Sequence, residues 1–349
     1  MQHVAIDLGS RESQICIRDA TGEILLERKL QTQKLPSFLS KQPHSRVIVE
    51  TSAEAFLIAD AALEHGHEVR VVPATLVKTL GVGERRQKSD QRDARKLSEV
   101  STRIDLPSVH VPSESSRQRK ALCNTRKNLI EARTKLTNYV RGQLRLQALV
   151  VPGRASSNAF PSNVRQALLA HTDGMPVHLD RVLQTVEVLN EQLDALDEEL
   201  LAVAKQDSVC QRLMTVPGVG PVIAVRFVAV VDQPERFPSA HHLMSYLGLT
   251  PGENSSSMRV QRTGITKAGA TDLRAVLVQG AWSILRHRRT TDPMGIWANA
   301  LAERRNRFIA VTALARKLVG ILWAIWTQGT TYRALHSAAS NSEREAASM

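Results

Sequence analysis

Four carboxylates in this chain are spaced for divalent-metal chemistry. Asp7 ends the apolar run Val4-Ala5-Ile6, and Glu50 ends Arg46-Val-Ile-Val-Glu50; both runs read as strands. If the two strands are parallel neighbours, both side chains leave the same edge of the sheet. Asp90 and Asp93 stand three apart in a polar helical segment, Lys88 to Arg103, so they share one helix face. Four converging negative charges repel unless a cation joins them, and hard oxygen donors suit Mg²⁺ or Mn²⁺. Two such ions, about 4 Å apart, serve phosphodiester chemistry by activating the attacking oxygen and stabilising the leaving one. Taken singly, each acid has an ordinary role: Asp93 as a solvated helix charge, Asp7 as a turn residue before Gly9. Only the set points to metal.

A second group lies far along the chain. Leu249-Thr-Pro-Gly-Glu-Asn-Ser-Ser-Ser257 carries three consecutive hydroxyls, followed by Arg259, Arg262 and Lys267. A serine here can attack phosphorus if a base takes its proton and cations stabilise the transition state; a polar surface turn has the same composition. The segment Val216-Pro-Gly-Val-Gly-Pro221 resembles a helix-hairpin-helix turn, in which Gly218 and Gly220 let backbone N–H groups approach a phosphate. A structural turn between packed helices reads the same way. His241 and His242 are adjacent, which is not the spacing of a helical metal pair. Of the four tryptophans, Trp323 and Trp326 are expected to pack a core. At 4% aromatics, base stacking is not expected to dominate nucleic-acid binding.

The elements that must position these groups fall into four stretches. Residues 1–110 read as an α/β domain with a mixed sheet: a meander of three strands with Gly22 at a turn, then alternating strand and helix. Residues 111–206 read as long helices. Between Arg117 and Arg145 the first is basic, with Arg117, Arg119, Lys120, Arg126 and Lys127 among its cations and Glu131 its acid. A loop is expected over Val151 to Ser162. The second helix, Leu179 to Lys205, carries an a/d seam of Val182, Val186, Leu189, Leu193, Leu196, Leu200 and Val203 between acidic positions. Opposite charges can pair in an intrachain hairpin, or the seam can serve an interchain coiled coil. Residues 207–336 form a mainly helical C-terminal domain, and 337–349 a polar tail expected to be disordered.

The whole chain has 349 residues, 42% hydrophobic, with a net charge of +12. That composition excludes collagen-like and wholly disordered classes, and the excess charge favours a nucleic-acid partner over a membrane. Cys16, Cys123 and Cys210 are far apart and odd in number, which fits a reducing cytosol. The N-terminus lacks a signal-peptide pattern, and Leu318 to Trp326 is about half a membrane span. The expectation is a cytoplasmic protein.

Together these marks resemble the DEDD-motif insertion-sequence transposases, the group that includes the Piv DNA invertase and the bridge-RNA-guided recombinases. The resemblance covers about residues 3 to 332. It runs through Val4-Ala-Ile-Asp-Leu-Gly9, Val47-Ile-Val-Glu-Thr51, Lys88-Ser-Asp-Gln-Arg-Asp-Ala94 and Val216 to Ala224. It continues through Tyr246-Leu-Gly-Leu-Thr-Pro251, Asn254-Ser-Ser, Gly264-Ile-Thr-Lys-Ala-Gly269, Leu273-Arg274 and Ala313-Leu-Ala-Arg-Lys317. It implies a RuvC-like (RNase H-like) N-terminal domain, a coiled-coil insertion and a C-terminal transposase domain. The family's acidic residues fall on Asp7, Glu50, Asp90 and Asp93. Its nucleophile falls on Ser255, with Ser256 in reserve because Ser257 stands where the family pattern has Gly. The implied activity is DNA cutting and rejoining through a transient phosphoserine with Mg²⁺ or Mn²⁺. Implied partners are double-stranded DNA (element ends and target), a noncoding guide RNA, and further copies of the chain as a dimer or tetramer.

Other classes remain open on residues alone. A junction nuclease uses the same carboxylates with water as nucleophile. An actin-like or sugar-kinase ATPase opens with a similar strand-turn-strand but needs a second phosphate loop and an adenosine motif, neither of which is found. A noncatalytic DNA-binding protein or decayed transposase would not require the acidic set to be intact.

Overall fold

The computed structural model describes residues 1–77, 90–150, 158–171, 174–253, 262–286 and 292–332. The chain divides into two compact units, Met1–Ser113 and Glu114–Met349.

The first unit holds strands β1 (Gln2–Asp7), β2 (Glu12–Arg18), β3 (Ile24–Gln31), β4 (Ser45–Glu50) and β5 (Glu68–Val72), with helices α1 (Leu35–Leu39), α2 (Ala55–Glu64), α3 (Ala74–Val77) and α4 (Asp90–Arg103). The sheet order is β3-β2-β1-β4-β5. β1, β2 and β3 pair antiparallel as a meander, with Gly22 at positive φ in the second turn. β4 and β5 join β1 in parallel. This is the RNase H-like mixed sheet that the resemblance implied. Period-two alternation sorts the side chains onto two faces. Val4, Ile6, Val47 and Val49 point to the face covered by α1 and α2. Ala5 and Ile48 point to the other, where they meet Leu97 of α4.

Polar contacts then fix how α4 lies. His3 bonds Ser101 at 2.8 Å, and Arg18 donates to Ser98 at 3.0 Å. Arg95 and Gln91 both donate to Glu27 of β3. Residues 3 and 5 of β1 are thus matched by 101 and 97 of α4, so the helix runs antiparallel to the strand. Two strand residues advance about 7 Å and four helix residues about 6 Å, so the match holds in step along the pair.

The second unit is helical apart from a small hairpin. Its helices are α5 (Glu114–Leu146), α6 (Phe160–His171), α7 (Val177–Gln206), α8 (Ser208–Leu213), α9 (Pro221–Val231), α10 (Ala240–Tyr246), α11 (Thr271–Arg286), α12 (Pro293–Arg304) and α13 (Arg307–Gln328). Strands β6 (Pro251–Glu253) and β7 (Arg262–Ile265) pair antiparallel. α5 and α7 pack antiparallel within the chain. Arg119 pairs with Asp207, Arg126 with Asp197, and Arg133 donates to Asn190 at 3.1 Å. Three arginines at seven-residue spacing therefore meet α7. They turn its buried line away from the apolar seam read from the sequence. Leu179, Leu183, Val186, Asn190, Leu193, Leu200 and Ala204 are buried, while Val182, Leu189, Leu196 and Val203 are half-buried.

Phe160 to Ser162, expected in a loop, begin α6 instead. Phe160, Val164 and Leu168 recur at four-residue spacing, and they bury against Val140, Leu144, Leu179 and Leu183. The three cysteines are free and buried. α13 is long and apolar enough to cross a membrane by length and composition. Its Leu314, Leu318, Leu322 and Ile325 are, however, buried in the core of this unit, and Trp326 packs on Phe227.

One buried guanidinium organises the region around the hairpin. Arg274 of α11, 8% exposed, donates to the carbonyls of Leu247 and Ala268 at 2.8 Å each and to Thr271 Oγ1 at 3.2 Å. Those carbonyls flank Gly248 and Gly269, both at positive φ. A Cβ at Gly269 would strike the Tyr246 carbonyl and one at Gly248 the backbone of Ala268, so only glycine fits this crossing.

Two measurements check these contacts. Arg274→Leu leaves two buried carbonyls unpaired and should cost the second unit about 2–4 kcal/mol in denaturant unfolding. The second concerns His3, whose imidazole is held below its ordinary value of 6.5, first by burial and then by Arg46. Its folded pKa is depressed, so the unfolded chain takes up the proton first. Stability of the first unit should be full above about pH 6.5 and decline below it, and His3→Gln should flatten that decline.

Candidate active site

The four candidate carboxylates lie on three elements of the first unit. β1 and β4 are parallel, with Ala5 opposite Ile48 and Ile6 opposite Val49. Their C-terminal residues, Asp7 and Glu50, therefore end at the same edge of the sheet. Each lies two residues past an α4-facing side chain, Ala5 and Ile48 respectively, so both belong to that face. The step that matches His3 to Ser101 and Ala5 to Leu97 brings Asp93 over the Asp7 end of β1. Asp90 is three residues nearer the helix start, on the same side of α4.

Local contacts hold each acid's backbone. After Asp7, the Thr32 hydroxyl donates to the Gly9 carbonyl at 2.6 Å and bonds Ser13 at 2.8 Å. A Cβ on Gly9 would strike the Glu12 carbonyl, which makes glycine necessary at that turn. Past Glu50, Thr51 N–H donates to the Val72 carbonyl at 2.9 Å, and Ala74 N–H donates to the Thr51 hydroxyl at 3.0 Å. Asp90 and Asp93 occupy the first turn of α4, where the helix dipole favours negative charge.

Asp93 is only 6% exposed, which removes its reading as a solvated helix charge; Asp7 and Glu50 are half-buried and Asp90 exposed. The donor set is all carboxylate oxygen, gathered on one sheet face, and suits a hard divalent ion. Among the described residues, no three His, Cys, Asp or Glu side chains are drawn together closely enough to hold a metal. The acids share a face and an edge without forming a closed cage.

In the second unit, Ser255, Ser256 and Arg259 lie outside the described residues. The strands on either side, β6 and β7, are described, with Pro251 opposite Ile265 and Glu253 opposite Arg262. Lys267 follows at φ 58°, its N–H donating to the Gly248 carbonyl at 3.1 Å. Gly218 is at φ 76°, and a Cβ there would lie 2.6 Å from Ile284 and 2.8 Å from the Gly280 carbonyl. That glycine is required by packing of the turn against α11. Gly220 caps α9, and the space beside it is open.

Of the basic-helix cations, Arg119 and Arg126 are engaged by acids of the second unit, and Lys127 bonds Asp272 at 2.9 Å. His242 bonds Ser239 at 2.9 Å, and His241 stands 3.2 Å from Arg316. Sequence reasoning missed two positioning arginines. Arg226 is the lone charge in the apolar segment Pro221–Val231, and it is buried against Asn124 at 3.0 Å. Arg274 sits beside Leu273 on the buried side of α11. A single cation inside an apolar helix was the signal available for Arg226.

Comparison with known proteins agrees with this architecture. The family model for the DEDD transposases of IS110 elements, described as Transposase, matches residues 4–147. A second model, Transposase IS116/IS110/IS902 family, matches residues 210–293. The transposase for insertion sequence element IS1111A of Coxiella burnetii is 30% identical over 335 residues, covering 95% of this chain and 91% of that protein. The transposase for insertion sequence element IS1328 of Yersinia enterocolitica is 27% identical over 334 residues, covering 94% and 98%. A carboxylate-edged RNase H-like sheet and a full-length likeness to these proteins lead to one assignment: the chain belongs to the IS110/IS116/IS902 family of insertion-sequence transposases.

Proposed function

We propose that this transposase cuts and rejoins DNA by transesterification, using the Asp7, Glu50, Asp90 and Asp93 carboxylates together with the Ser255 hydroxyl, with Ser256 in reserve. The observation that carries the reading is the shared sheet edge of Asp7 and Glu50 beneath the buried Asp93 of α4. Carboxylate oxygens are the donors that a hard divalent ion takes, and these acids lie on one face of the sheet. A divalent ion, Mg²⁺ or Mn²⁺, held by these four residues would supply charge stabilisation for phosphodiester exchange.

Ser255 attacks the phosphorus and gives up its hydroxyl proton to a base, and the 3′ oxygen leaves with the bonding electrons. The product is a phosphoserine joined to the 5′ end of the downstream strand, with a free 3′ hydroxyl on the upstream one. The 3′ hydroxyl of a second strand then attacks that phosphorus, and Ser255 leaves and regains a proton. One phosphodiester is broken and one formed, so no external energy source is required.

The net charge of +12 supports a polyanionic partner. Double-stranded DNA at the element ends and target is the substrate. In this reading a noncoding guide RNA supplies sequence recognition by base pairing. Arg117 and Lys120 of α5, the open turn at Gly220, and Arg259, Arg262 and Lys267 near the serine contact phosphates. The chain acts as a dimer or tetramer, with recombination joining two duplexes.

Two experiments test this reading. Ser255→Ala should abolish the protein–DNA adduct trapped under denaturing conditions while keeping DNA binding. Normal recombination by that variant would remove the nucleophile assignment, and cleavage without any adduct would point to water as nucleophile. Asp93→Asn keeps the shape of the buried side chain and should abolish cleavage, as should EDTA, with Mg²⁺ reversing only the latter. Full metal-dependent cleavage by Asp93→Asn would overturn the carboxylate site.

A further inference from the structure

The hairpin on either side of Ser255 forms part of a cavity of about 850 Å³ in the second unit. Thr263, Gly264 and Ile265 of β7 line it, as do Trp297 of α12 and Phe308 and Ile309 of α13. Among its described lining residues there is no Asp or Glu. Its charged groups are Lys267, Arg316 and Lys317, beside His241. A mainly apolar wall with cations alone around it is complementary to an anionic chain carrying flat, apolar groups.

The aromatic rings here are presented rather than buried. Phe308 is 76% exposed in the first turn of α13, and Trp297 is 38% exposed. Large aromatic side chains are ordinarily among the best-buried groups in a folded chain. Both rings are nevertheless oriented by neighbours. Phe308 stands edge-on to Trp282, centroids 5.9 Å apart at 86°, and Lys317 Nζ lies 4.5 Å above the Trp297 ring. Arg316 is held by the Met244 sulfur at 3.4 Å. Lys267 is carried on the glycine crossing that Arg274 locks.

We propose that this cavity receives an unpaired nucleobase of the DNA strand being cut, stacked on the exposed face of Phe308, with the flanking phosphates against Lys267, Arg316 and Lys317. The placement beside the cut rests on the Ser255 reading, since β6 and β7 bracket that residue. A base inside a duplex cannot reach such a ring, so the strand must be unstacked next to the reacting phosphate. Stacking tolerates any base, so the cavity grips the strand without reading its sequence. The few aromatics of this chain thus supply one local platform, while phosphate contacts supply the bulk of the affinity.

The test is fluorescence anisotropy of the full-length chain with a labelled oligothymidylate of about 12 nucleotides and a duplex of equal length. Wild type should bind the single strand. Phe308→Ala should weaken that binding about 5- to 50-fold and change duplex binding less than about twofold, and Phe308→Trp should restore it. Lys267→Gln with Lys317→Gln should reduce the salt dependence of single-strand binding. Because Phe308 is exposed, its replacement leaves the fold intact, which circular dichroism checks. Failure of wild type to bind the oligonucleotide, or equal affinity in Phe308→Ala, would overturn the proposal. So would conversion of an oligomer to monomer by Phe308→Ala in sedimentation with single-strand affinity unchanged, which would assign the cavity to a second copy. Ser255→Ala should bind the oligonucleotide like wild type even if no adduct ever forms, so the two readings can fail separately.

Discussion

The packing of α4 across one face of the sheet is the constraint on which the candidate carboxylate site depends. Asp7 and Glu50 are brought to one edge by parallel pairing of β1 and β4, but that pairing alone says nothing about Asp90 and Asp93. α4 lies on the same sheet face because Leu97 is buried against Ala5 and Ile48 and because His3 and Arg18 bond serines on the helix. The apolar contact supplies the driving force, and the polar contacts set direction and register. A helix rotated by one residue would move Asp93 off this face by about 100° and leave the edge with two acids.

The second unit solves a different problem, that of a strongly basic helix. α5 carries cations on several sides, and unscreened they would repel one another. Arg119, Arg126 and Arg133 recur at the heptad interval and meet Asp207 at the end of the antiparallel α7 and Asp197 and Asn190 within it. The pairing turns part of the charge into internal structure. It also explains why Asn190 is buried while Leu189 remains half-exposed. Deeper in the unit the same device recurs with single arginines. Arg226 is buried with one guanidinium nitrogen donating to Asn124, and Arg274 donates to two backbone carbonyls and closes the crossing on which the β6–β7 hairpin and Lys267 rest.

The hairpin region combines rigid and open features. Gly248 and Gly269 permit a backbone crossing too close for any Cβ, and Arg274 pins it. Beside this fixed point lies the cavity lined by Trp297, Phe308, Lys267, Arg316 and Lys317.

Much of this was legible in the sequence because it is written in local patterns. The apolar runs Val4-Ala5-Ile6 and Val47-Ile48-Val49, with Gly22 at a turn, marked the strands and the meander, while the parallel pairing of β1 with β4 came from the structure. The spacing of Asp90 and Asp93 placed both on one helix face. Tertiary structure alone decided the rest. Burial of Asp93 follows from which face of α4 meets the sheet, and the buried line of α7 follows from where the arginines of α5 fall. The α6 helix depends on Phe160, Val164 and Leu168 finding a pocket between α5 and α7. Each of these turns on contacts between segments distant in the chain, whose free energies outweigh local preference and cannot be read from either segment alone.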